Sequence, residues 1–85
     1  MHQEIIDIIN RDFPEEARAK VVECLSSIRL THVMAGSEYN LRYTLLSILY
    51  LAEGNIIELE ELTERAKIDF RDIVSWAIQK KNRES

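Results

Sequence analysis

Apolar positions recur along this chain with a helical period of three or four, not with the alternation of strands. Ile5, Ile6, Ile8 and Ile9 form one broad stripe in a short segment from about Gln3 to Asn10. Asp12-Phe13-Pro14-Glu15 then reads as a helix start. Asp12 can accept from a free backbone N–H, Pro14 lacks an N–H that would go unpaired, and Glu15 sits at capping-box spacing. Ala17, Val21, Cys24, Leu25, Ile28, His32 and Ala35 share the stripe of a second helix. Their period predicts a helix running to about Ala35, with Gly36 as its left-handed stop.

A third helix opens between Ser37 and Asn40 and ends at Glu53-Gly54-Asn55, where Gly54 supplies the stop and Asn55 the next cap. The fourth places Ile56, Leu59, Leu62 and Ala66 on one face and breaks at Ile68-Asp69. Asp69 caps a fifth, with Asp72 in its first turn and Phe70, Ile73, Val74 and Ala77 as its stripe. Lys80, Lys81 and Arg83 stand near its end, where cations suit the helix dipole. The expectation is an all-α fold: a compact bundle of about five short helices in a single domain over residues 1–85, with the second and third helices as its central pair.

The third helix carries more apolar surface than one stripe needs. Leu41, Leu45, Ile48 and Ala52 make one face, while Tyr39, Tyr43, Leu46 and Tyr50 make another on roughly the opposite side. A helix apolar on two sides is covered on two sides. Either the other four helices wrap it, or the tyrosine stripe meets a second subunit. Tyrosine suits the latter because its ring is apolar and its hydroxyl tolerates wetting.

Composition narrows the function classes. Eighty-five residues allow one modest core and little room for an enclosed active site. Two glycines and one proline disfavour a turn-rich all-β fold, and a net charge of −4 disfavours generic nucleic-acid or anionic-membrane binding. The lone Cys24 cannot form an intrachain disulfide, so a reducing, cytoplasmic setting is the default. Met1-His2-Gln3-Glu4 lacks the basic start of a signal peptide, and no apolar run approaches the roughly 18 residues of a membrane span.

Residues 41–77 carry a further pattern. Leu51-Ala52-Glu53-Gly54-Asn55 is followed by Leu59 and Leu62, then by Ala66-Lys67-Ile68-Asp69-Phe70-Arg71-Asp72-Ile73-Val74-Ser75-Trp76-Ala77. This resembles a family of small, functionally uncharacterised bacterial proteins with a Leu-Ala-x-Gly-Asn/Asp turn and an Asp-aromatic-Arg-Asp element. The resemblance implies a small helical bacterial protein and brings no activity, ligand or catalytic residue with it.

Candidate chemistry is sparse. Arg71 can pair with a glutamate of the fourth helix or reach a partner's carboxylate, and Asp72 stands beside it. The fourth and fifth helices also permit a DNA-binding helix-turn-helix, with Arg71, Ser75, Gln79 and Lys80 on the reading helix. Residues 69–85 hold four basic and three acidic side chains, thin for a phosphate-binding surface. His32 has no Ser, Cys or carboxylate three or four positions away, so a histidine hydrogen-bonded to a carbonyl is expected rather than a catalytic one. Cys24 reads as a small buried hydrophobe. Glu58, Glu60, Glu61 and Glu64 read as a solvated face in which Glu61 and Arg65 are spaced to pair. No metal or cofactor site and no catalytic residue is expected. The favoured function is non-catalytic: a homodimer or adaptor acting through Tyr39, Tyr43, Leu46 and Tyr50. The sequence leaves open whether the isoleucine-rich first helix docks on its own chain or on a neighbour.

Overall fold

The computed structural model describes residues 1–33 and 36–84. Five α-helices are present among them: α1 (Gln3–Asp12), α2 (Glu15–Ser26), α3 (Glu38–Ala52), α4 (Ile56–Ile68) and α5 (Phe70–Glu84). A 3-10 turn, Leu30–His32, lies between α2 and α3. The radius of gyration is 12.0 Å, matching the roughly 12 Å of a compact chain of this length.

Three helix starts follow the local chemistry of their caps. The Ser37 hydroxyl accepts from the Asn40 N–H at 3.2 Å. Asn55 accepts from the Glu58 N–H at 3.0 Å, and Asp69 from the Arg71 N–H at 3.0 Å. The α3–α4 turn takes two left-handed residues in a row, Glu53 (φ 49°) and Gly54 (φ 79°). At Gly54 a Cβ would stand 2.6 Å from the Asp12 carbonyl oxygen, so the end of α1 rests directly on this turn.

The first corner differs from expectation. α1 continues through Arg11 and Asp12, so Asp12 ends α1 instead of capping α2, and its carboxylate pairs with Arg11 at 2.8 Å. Proline disfavours helical backbone in the residue before it, and Phe13 is accordingly extended (φ −120°). Pro14 takes the N-cap position of α2 without a side-chain bond. Arg18 closes the corner by donating to the carbonyls of Phe13 and Asn10, both at 3.0 Å.

The end of α2 is the larger correction. The helix stops at Ser26, well short of Ala35, which lies outside the described residues. The Ser27 hydroxyl donates to the Cys24 carbonyl at 2.6 Å, a side-chain bond that competes with continuation of the helix. Arg29 is then extended. Ile28 and Val33 are still buried, but from irregular backbone. The helical spacing of Ile28 from Val21 and Leu25 is a coincidence of burial.

This shortening also changes the centre of the bundle. α2 packs chiefly on α4 and α1, while α3 lies against α5, α4 and α1. The central pair is therefore α3 with α4, not α2 with α3. Ile5 and Ile9 of α1 are buried in the common core of this chain. Val21, Leu25, Ile48, Leu49, Leu59, Ala66 and Ile73 are sealed in the same core.

α3 is buried over an arc of roughly 200° at 100° per residue, running through Thr44, Leu45, Ser47, Ile48, Leu49 and Ala52. Two of those positions read as polar in sequence. Their hydroxyls turn inward on their own helix: Thr44 donates to the Asn40 carbonyl at 2.7 Å and Ser47 to that of Tyr43 at 2.8 Å. Thr63 of α4 does the same toward Leu59 at 2.7 Å. Satisfied in this way, small hydroxyl residues can be buried where helices meet.

Candidate functional site: an apolar cleft at the start of α3

The tyrosine stripe of α3 divides into two parts. Tyr43, Leu46 and Tyr50 are half-buried, and with Ser47 they line a small crevice closed by Ala77 and Lys81 of α5. Lys80 holds the far end. Its ammonium lies 4.3 Å from the Tyr50 ring centroid, donates to the Tyr50 carbonyl at 2.8 Å and pairs with Glu53. The Tyr50 phenol donates to Glu84. Three of the four candidate interface residues are thus engaged by α5 of the same chain.

The Glu84 bond favours the neutral phenol and pushes the Tyr50 pKa up from 10.0 to about 12. Because the folded value lies above the unfolded one, this contribution to stability is complete below pH 10. It is lost as pH rises through about 12. An absorbance titration at 295 nm is expected to show one phenol ionising near 12 and moving back toward 10 in Glu84→Gln. Ionisation of every tyrosine near 10 in the native chain would contradict the contact.

Tyr39 is different: it is 66% exposed, and its ring lies 6.2 Å from that of Tyr43. It stands on the rim of a cleft of about 680 Å³ between the start of α1, the end of α2 with the 3-10 turn, and the start of α3. Half-buried Leu41 forms its apolar wall, and the core side chains Ile5, Leu25, Ile28 and Leu45 lie beneath its floor with almost no surface of their own exposed. Met1, Leu30 and Tyr39 are large apolar side chains left exposed at its edge. The volume falls within the range of small-ligand and side-chain pockets.

Polar groups enter this cleft from two helices. His2 caps α1, its Nδ1 lying 3.3 Å from the Glu4 N–H, and its Nε2 is 3.2 Å from the Arg42 guanidinium. Glu38 lines the same space. Sequence reading missed this cleft. His2 and Arg42 are 40 positions apart, and Leu30 falls inside what read as helix. The one legible signal was Tyr39.

The other candidates resolve into local pairs. Arg71 clamps Asp69 with two bonds of 3.0 Å, which holds the Asp69 carboxyl below its usual range and raises the guanidinium. Asp72 instead takes Arg65 of α4, at 2.6 and 3.0 Å. The inter-helix pair is therefore Arg65–Asp72. Neither Arg71 with a glutamate of α4 nor Glu61 with Arg65 is formed.

Asp69 alone separates α4 from α5, whereas a helix-turn-helix has a turn of three or four residues. Of the side chains assigned to a reading helix, Lys80 is occupied by Tyr50 and Glu53, Arg71 by Asp69, and Gln79 donates to Ser75 at 3.5 Å.

His32 sits in the 3-10 turn, where its Nδ1 accepts from the Arg29 N–H at 2.8 Å. The expected partner was a carbonyl. The ring is an acceptor instead, which fixes Nε2 as the protonated nitrogen of the neutral form. Cys24 is half-buried, and burial pushes its thiol pKa up, away from the reactive thiolate. Among the described residues no group of three His, Cys, Asp or Glu side chains is placed to hold a metal ion. Nor is any helix among them long and apolar enough to cross a membrane.

No family model, curated protein or solved structure matches this chain.

Proposed function

We propose that this chain is a non-catalytic, cytoplasmic binding module that receives another protein in the cleft at the start of α3. The proposal keeps the bacterial setting implied by residues 41–77. The observation that carries it is the grouping of exposed Met1, Leu30 and Tyr39 around one apolar depression. Isolated exposed apolar side chains are ordinary, but their clustering around a concavity suits a protein contact. Compared with the full tyrosine stripe, the proposed surface is shorter and moves toward α1, because α5 covers Tyr43, Leu46 and Tyr50.

Photo-crosslinking tests this. A benzoylphenylalanine at position 39 is expected to give a discrete adduct in cells, and that adduct should disappear when Leu30→Ser is added. The same group at position 61, on the exposed face of α4, is expected to give none. Equal adducts from both positions would contradict the proposal, as would persistence of the position-39 adduct in Leu30→Ser. A second copy in the adduct would identify the partner as this chain itself.

A further inference from the structure

Resting on that reading, we infer that the partner segment is an acidic peptide: a carboxylate flanked by apolar side chains, held between Arg42 and His2. A neutral imidazole has one donor and one acceptor nitrogen. With Nδ1 accepting from the Glu4 N–H at 3.3 Å, Nε2 carries the proton and faces the Arg42 guanidinium at 3.2 Å, donor against donor. In the other tautomer, Nε2 accepts from Arg42 and Nδ1–H faces the Glu4 N–H. Either way one of the two contacts sets donor against donor, and because His2 and Arg42 are exposed, water takes up the donor left over until an acceptor displaces it.

An oxyanion beside the pair resolves the conflict by accepting from Arg42 and from Nε2–H together, while Nδ1 keeps its cap. Charge-assisted bonds of this kind are the strong ones. No carboxylate among the described residues lies within 4.0 Å of Arg42, although Glu4 and Glu38 are on the two helices concerned. The first turns of α1 and α3 both border the cleft, and their dipoles favour an anion there. Glu38 faces the same space and disfavours a second negative charge, so the occupant carries one carboxylate.

The extent of the apolar surface selects a peptide over a small acid. A short acid held at Arg42 and resting on Leu41 leaves Met1, Leu30 and Tyr39 wet on the rim. Side chains on both sides of a central acidic residue reach that wall and the rim together.

The test is an NMR titration of the whole chain, labelled at backbone nitrogen and at Ile and Leu methyl groups. The probes are two pools of acetylated, amidated pentapeptides with Leu or Ala at four positions and Glu or Gln at the centre, together with octanoate. The Glu pool is expected to shift the Leu30 and Leu41 methyls saturably, with an apparent affinity at least tenfold above the Gln pool. That advantage should vanish in Arg42→Gln, whose unbound spectrum away from residue 42 should stay native. Equal affinity of the two pools would overturn carboxylate recognition while leaving the cleft as a docking site. Octanoate binding as tightly as the Glu pool would overturn the peptide class. No saturable shift from either pool would overturn both this inference and the reading it rests on.

Discussion

Gly54→Ala is expected to destabilise the fold by about 3 kcal/mol, the sum of two separate costs. A residue with a Cβ in left-handed backbone costs about 1–2 kcal/mol, and Gly54 sits at φ 79°. The new methyl would also lie 2.6 Å from the Asp12 carbonyl oxygen, a backbone atom with no rotamer to change. Relieving such overpacking costs about 1–3 kcal/mol. Gly36→Ala is the internal control. Its φ is 59°, yet among the described residues beyond its chain neighbours nothing lies within 4 Å of the added Cβ, so only the conformational cost of about 1 kcal/mol is expected. Against a total stability of about 4–13 kcal/mol for a chain of this length, the Gly54 change should lower the melting temperature by about 15 °C. Equal effects at the two glycines in thermal or urea unfolding would show that α1 does not rest on the α3–α4 turn.

Leu49→Ala should be comparably damaging for a different reason. Leu49 is fully buried on α3, between the elements that surround that helix. Leucine truncation at such sites costs about 2–5 kcal/mol, because the neighbours collapse only partly into the space. Tyr39→Ala, ten residues earlier on the same helix, should change stability by no more than about 0.5 kcal/mol. Urea unfolding of the two variants separates the buried part of α3 from the part proposed to meet a partner. A large loss at Tyr39, or a small one at Leu49, would reverse that assignment.

What was legible in the sequence was mostly local. Ser37, Asn55 and Asp69 act within three residues of themselves, so their caps and the helices they begin follow from short-range chemistry. Gly54 declared a helix stop for the same reason. The end of α2 was not legible, because Ile28 keeps a helical spacing from Leu25 and Val21 while sitting on irregular backbone. Burial produces apolar period; period alone does not prove a helix.

The candidate site shows the same limit. Thr44 and Ser47 read as polar breaks in the covering of α3, yet both are buried because each hydroxyl finds a carbonyl one turn back. The tyrosine stripe looked uniform, but its outcome depended on where α5 runs. Lys80 and Glu84 secure Tyr50, while Tyr39 stays exposed. His2 and Arg42 carried no sequence signal at all, since their meeting is a property of how α1 docks on α3.

α3 is covered by its own chain along most of its length, which leaves its first turns and the adjoining cleft for the proposed partner. Hydrogen exchange of the backbone amides from Leu45 to Ala52, measured over a hundredfold range of protein concentration, tests it most directly. These amides are expected to exchange only through global unfolding, at rates independent of concentration. Fast exchange in dilute protein that slows as concentration rises would show that a second chain covers α3, and would contradict the account.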